Sequence, residues 1–289
     1  MSSPLGVHAL VWVGDSAPAS VELAVKQTAA AGFDLLELSL HDLQQLDVPG
    51  TRALLEQHGL QVACSRGLAF DADVSSDDPA VVARGEALLH ESLDVVSGLG
   101  GRYLTGALYS ALGKYGAPLS EVGRANVVRV LKDLAAEAAT RGVTLGLEVC
   151  NRYETNVVNT ARQALALADD IAADNVVIHL DTYHMNIEED DLVRPVLEVG
   201  DRLGYVHIGE NHRGYLGSGH LDFTGFFHAL ADISYDGPIT FESFSSAVVH
   251  PTLSADLAVW RNLWDDGADL AGHAHQFLSA GLTAAGHRS

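Results

Sequence analysis

The chain has 289 residues and a formal net charge of −21, from 17 Lys and Arg against 38 Asp and Glu. A field of that sign repels phosphate backbones and argues against nucleic-acid partners, and no apolar run is long enough to cross a bilayer. With 47% hydrophobic and 19% charged residues and no linker-like stretch, the composition is that of one well-buried globular unit.

In chain order, apolar stretches that read as strands fall at 7–12, 33–38, 61–64, 103–105, 144–147, 176–180, 205–207 and 239–241. Segments with a helical period alternate with them at 19–31, 49–58, 78–98, 120–140, 160–172, 192–199, 221–231 and 253–263. Glycines at 32, 59, 98, 142 and 237 punctuate the joins between helix and next strand. Eight strand–helix units in strict order predict a (β/α)8 TIM barrel over residues 1–265. A doubly wound sheet, the competing fold, usually has fewer strands and would not gather the ends of strands five to eight. Residues 266–289 fall outside the eighth unit and read as a partly helical C-terminal extension that caps the barrel or joins a subunit contact. Cys64 and Cys150 lie in apolar strands and read as reduced core residues. The start MSSPLGVHAL lacks a basic region followed by a long apolar segment, so a cytoplasmic location is expected.

Glu148, Asp181, His207 and Glu242 each stand where one of the last four strands ends, at spacings of 33, 26 and 35 residues. Such spacing is one barrel unit, and strand ends at the C-terminal side of a barrel face a common mouth. Three carboxylates and one imidazole form an oxygen-rich donor set suited to one divalent cation such as Mn²⁺, Mg²⁺ or Co²⁺. Without a cation they would repel one another and take up protons.

The loops beyond these strand ends supply contacts for a polar ligand. EVCNRYETN carries Glu154, suited to bind substrate hydroxyls; HLDTYHMN carries His184, suited to donate to a substrate oxygen, with metal ligation as the alternative; the glycine-rich HIGENHRGYLGSGHLDF carries Arg213, suited to a phosphate or to a hydroxyl or carbonyl. On the first four units, His8, Trp12, Gly67, Ala107 and Tyr109 are expected to shape the pocket around the carbon-rich side of a polyol, with ordinary packing as the alternative role of Trp12 and Tyr109. Glu37 is expected to orient His8 or a pocket residue. GLGGR at 98–102 precedes a strand instead of following one, so no dinucleotide fingerprint is read there.

From HALVWVG to TFESFSS the sequence resembles the ketose 3-epimerases of the xylose-isomerase-like barrels, a group acting on D-tagatose, D-psicose (allulose) or L-ribulose. The specific parts are LEVCNRYETNVVNT, HLDTYHMNIEE and HIGENHRGYLGSGHLDF. The resemblance implies metal ligands at Glu148, Asp181, His207 and Glu242, with Glu148 and Glu242 also acting as the two acid–bases. It implies substrate contacts at Glu154, His184 and Arg213, a manganese, cobalt or magnesium ion, and a homodimer or homotetramer. The run Ser65–Arg66–Gly67 and the long C-terminal tail depart from the family pattern. The expected reaction inverts carbon 3 of a free ketose through an enediolate. An aldose–ketose isomerase of the same superfamily is the nearest alternative, followed by a sugar-binding protein without catalysis.

Overall fold

The computed structural model describes residues 3–41, 43–249, 251–256 and 258–286. Eight strands, β1 (Leu5–His8), β2 (Leu35–Ser39), β3 (Gln61–Ser65), β4 (Tyr103–Gly106), β5 (Thr144–Glu148), β6 (Val176–Asp181), β7 (Leu203–Ile208) and β8 (Ile239–Phe241), form a closed barrel in sequence order. Every pair is parallel, and β8 closes on β1 through Leu5↔Ile239, Gly6↔Thr240 and Val7↔Phe241. The expected TIM barrel is the observed fold.

Strand alternation divides the side chains between two interiors. Val7, Leu36, Leu104, Leu145, Ile178, Val206 and Phe241 point outward into the continuous apolar layer between sheet and helices. Inside the barrel, Leu35, Ala63 and Tyr205 form a separate cluster against Tyr103. Two residues further along the strands the barrel interior turns polar, with Glu37, Thr105 and His179 fully buried. At Gly146 a Cβ would lie 2.5 Å from Thr105 Oγ1, so the absence of a side chain leaves the space in which Thr105 meets His179 at 2.6 Å.

The helices are α1 (Pro18–Ala30), α2 (Val48–His58), α3 (Pro79–Leu99), α4 (Glu121–Thr140), α5 (Ala161–Ile171), α6 (Thr182–Glu188), α7 (Val193–Val199), α8 (Phe223–Asp232), α9 (Pro251–Asp256) and α10 (Gly267–Ala284). Their starts follow local chemistry: Asp47, Asp78, Ser120 and Asp222 accept from backbone N–H groups in the first turn, and Thr160 with Gln163 makes a full capping box.

Three elements differ from the sequence expectation. The first strand ends at His8, because His8 Nδ1 accepts the Leu10 N–H and caps a 3-10 turn over Ala9–Val11; Trp12 therefore leaves the strand. The segment after β6 carries an additional helix, α6, started by Asp181 accepting the Tyr183 N–H at 2.6 Å. The helix expected at 253–263 shortens to Pro251–Asp256, with residue 257 outside the described residues and no helix over 258–266.

The C-terminal extension is helical and belongs to the packed body. Asp266 caps α10, which buries Leu270, Ala271, Ala274, Leu278 and Leu282 against α8 and β1. Phe277 meets Phe223 edge to face, and His275 meets Phe33 in the same way.

Candidate metal and substrate site

β5, β6, β7 and β8 bring Glu148, Asp181, His207 and Glu242 to one point. One ligand atom from each lies within 4.8 Å of all the others, and all four residues are buried or nearly so. The register makes this possible: Asp181 pairs with His207 across β6–β7, and His207 pairs with Thr240, two residues before Glu242. His207 Nδ1 faces Glu148 at 3.3 Å, Glu242 at 3.6 Å and Asp181 at 3.9 Å.

The opposite ring nitrogen explains that orientation. His207 Nε2 donates to Glu37 Oε2 at 2.8 Å, and Tyr205 donates its hydroxyl to the same oxygen at 2.7 Å. A carboxylate behind an imidazole fixes the ring's orientation and aims the other nitrogen at the carboxylates, the usual support for a histidine that ligates a metal once the cation displaces its proton. Glu37 thus orients His207, with His8 Nε2 more loosely placed at 3.7 Å. Burial opposes ionisation of Glu37, yet the charge and hydrogen bond of His207 prevail and hold its carboxyl well below the usual range. Burial also works against Asp181, but Arg213, His184 and His207 pull its carboxyl low. Burial raises Glu148, and neighbouring Glu242 adds to that rise.

Arg213 is the cation of the cluster. Its Nη1 lies 2.5 Å from Glu242 Oε2 and 3.3 Å from Asp181 Oδ2, and its guanidinium covers the Tyr183 ring at 3.9 Å. Its backbone is left-handed, with φ of 62°, a conformation that costs a non-glycine residue about 1–3 kcal/mol. The loop holds it there: Glu210 accepts from Asn211 N and Gly217 N, its carbonyl accepts from Arg213 N, and Ser243 donates to the Arg213 carbonyl.

His184 sits on α6 with Nε2 3.8 Å from Glu148 and 3.6 Å from Asp181. Its Nδ1 accepts the Asn151 backbone N–H at 3.2 Å and faces Asn151 Nδ2 at 2.8 Å. A backbone N–H only donates, so Nδ1 accepts and Nε2–H is presented to the site. Asn151 Nδ2 also donates to Glu154 Oε1 at 2.8 Å, which ties Glu154 to the same group.

A cavity of ≈ 1110 Å³ opens beside the quartet. Glu148, His207, Glu242, His8, Gly67 and Ala107 line it, as do Leu10, Leu112, Phe70 and Phe244, which sequence reasoning missed. Trp12 and Tyr109, expected in the pocket wall, are not part of it. The Trp12 indole N–H is turned to Thr28 Oγ1 on α1, because the 3-10 turn rotates it off the strand. Tyr109 is fully buried and donates to the Glu148 carbonyl at 2.5 Å, so it braces the end of β5. Asn151, a polar group of the loop after β5, and His179, on the same strand face as Asp181, carried no assigned role in the sequence reading; the structure ties Asn151 to His184 and Glu154, and His179 to Thr105.

A family profile described as xylose isomerase-like TIM barrel matches residues 25–278. The chain is 53% identical to an L-ribulose 3-epimerase of Methylomonas sp. (strain DH-1), covering 94% of this chain and 96% of that one. It is 49% identical to a ketose 3-epimerase of Arthrobacter globiformis, over 97% of each. The chain belongs to the ketose 3-epimerase family. Among solved structures, the D-allulose 3-epimerase from Methylomonas sp. in complex with D-allulose superposes with a TM-score of 0.94 at 52% identity, covering 96% of this chain and 97% of that one. Ketose 3-epimerases are isomerases acting on carbohydrates, and the buried Glu/Asp/His group is a candidate site, able to coordinate a divalent ion and consistent with an enediolate reaction.

The donor set fits a divalent ion. Three carboxylates converge and only two of them pair with the Arg213 guanidinium, while His207 Nδ1 is aimed into the group and its far nitrogen is held by Glu37. An ion of charge +2 there would relieve the repulsion among the carboxylates, the physical condition that makes such a cluster tolerable in a buried site.

Proposed function

We propose that Glu148 and Glu242 interconvert ketoses epimeric at carbon 3, with Glu148, Asp181, His207 and Glu242 holding one divalent cation, Mn²⁺ in preference to Co²⁺ or Mg²⁺. The observation that carries this reading is the pairing of two glutamates from β5 and β8, the first and last strands of the ligand group, around one buried point. They approach that point from two directions, as a reaction that removes a proton from one face and returns one to the other requires. Substrates of the D-allulose and L-ribulose type follow from the relatives named above.

When bound, the cation supplies Lewis acidity at the C2 carbonyl and a neighbouring hydroxyl, which acidifies the C3 hydrogen. One glutamate then accepts the C3 proton, and the electron pair is held in the enediolate. The other glutamate donates a proton to C3 from the opposite face, and the reverse reaction exchanges their roles. Arg213, at 2.5 Å from Glu242, keeps that carboxylate oriented before it accepts a proton. His184 Nε2–H donates to a substrate oxygen near Glu148 and Asp181, and Glu154 accepts from a hydroxyl while braced by Asn151. Gly67 and Ala107 leave room for the sugar, and His8 closes the cavity beside Glu242 at 4.0 Å. The assembly proposed is a homodimer or homotetramer, as the family resemblance implies, located in the cytoplasm; mass measurement in solution checks the former.

The test is incubation of the manganese-loaded protein with D-allulose and with L-ribulose in deuterated water. Deuterium should enter at C3 with formation of the C3 epimer. Label at C1 with appearance of an aldose would establish the isomerase alternative, and no label in any ketose would leave a binding protein.

A further inference from the structure

The cavity extends from the quartet to the opposite side of the barrel mouth. In a closed ring of eight strands, β3 stands four strands from β7 in either direction, so the end of β3 faces the ligand group. There the chain places Arg66, which lines the cavity and is 8% exposed.

An arginine at that place is hard to explain as packing. Its Nη1 donates to the Leu40 carbonyl at the end of β2, while its Nε is buried with no partner. Among the described residues no carboxylate lies within ion-pair distance, and the guanidinium makes no second hydrogen bond. A guanidinium has five donors, and burying its Nε without a partner carries a cost that an aliphatic residue of similar volume would not. The backbone around it is fixed. Arg66 N donates to the Thr105 carbonyl at 2.9 Å, and Gly106, with φ of 109°, approaches so closely that a Cβ would lie 2.5 Å from the Arg66 carbonyl oxygen.

We propose that Arg66 is a specificity-determining residue whose guanidinium donates hydrogen bonds to a hydroxyl on the end of the ketose remote from its reacting carbons. The inference rests on the placement of C2 and C3 at the quartet proposed above. With those carbons held by β5–β8, the remaining carbons have only the β1–β4 side of the cavity to enter. Leu10 and Leu112 there offer apolar contact, and Arg66 offers donors for the oxygens of a sugar chain. The same cavity is lined by Asp15, Asp71 and Glu91, whose charge disfavours a phosphate on that end and selects a neutral hydroxyl.

The test is a cycle between residue and hydroxyl. Wild type, Arg66→Ala and Arg66→Lys, all metal-loaded, are assayed with D-allulose and with its 4-, 5- and 6-deoxy analogues. Wild type should lose roughly 10–100-fold in kcat/KM on one analogue, the size of a hydrogen bond to a charged donor. Arg66→Ala should lose a similar factor on D-allulose, mainly through KM, and nothing further on that analogue. An equal loss by the variant on all four sugars would mark a structural role and overturn the proposal, as would no loss at all. If Arg66→Ala fails to fold, Arg66→Lys carries the comparison, since it retains charge and reach but lacks the planar fork. A wild type that epimerises no ketose would overturn the proposed function itself, and this inference with it.

Discussion

At the scale of single residues, Glu37 shows how a side chain outside the ligand quartet sets the orientation of one of its members. It accepts from His207 and Tyr205 and so decides which imidazole nitrogen faces the carboxylates. Glu37→Gln should keep the fold yet weaken manganese binding about 10–100-fold, measured by titration calorimetry. Its pH signature has a definite sign. The folded carboxyl lies below its unfolded value near 4.3, so its ionised form stabilises the protein above that value. This contribution is lost as pH falls through the folded value. The stability difference between wild type and Glu37→Gln should therefore be level at neutral pH and shrink only below about pH 4. The thiols give a second prediction. Burial pushes both Cys64 and Cys150 up, so iodoacetamide at pH 8 should modify neither in the native protein and both after denaturation.

At the scale of elements, the strands that carry the metal ligands were legible because period-2 alternation marks their inward faces and each ends on an acid or a histidine. Legibility failed where side chains decided the end of an element. His8 capping its own 3-10 turn removed Trp12 from the pocket, and Asp181 capping α6 put His184 on a helix where the sequence suggested only a loop. Glu37 could be suspected but not paired, because His207 is 170 residues away in sequence. α10 is the element whose contribution is most open to measurement. Leu278 is fully buried in it, so Leu278→Ala should cost about 2–5 kcal/mol, read by chemical denaturation. A substitution at exposed Val122 should stay within about 0.5 kcal/mol of wild type.

At the scale of the whole molecule, a closed barrel converts distances of 26 to 35 residues along the chain into one cluster of ligand atoms. The polar interior beneath that cluster, from Glu37 through Tyr205 to Thr240 and from Thr105 to His179, is built for the site; an apolar barrel core would leave His207 without its support. Because the folded chain gathers the four ligands and the unfolded chain does not, a divalent ion should stabilise the fold by mass action. Manganese at 100 times its dissociation constant adds about 2.7 kcal/mol, so chelator should lower Tm and added Mn²⁺ should restore it. The central claim is that one glutamate removes the proton of carbon 3 and the other returns a proton to its opposite face. The most direct measurement is deuterium incorporation at C3 of D-allulose by manganese-loaded Glu148→Gln and Glu242→Gln, with metal content verified in each. The two-base account predicts that each variant loses epimerisation by about 10²–10⁴-fold. Epimerisation and label uptake at the wild-type rate in either variant would contradict it.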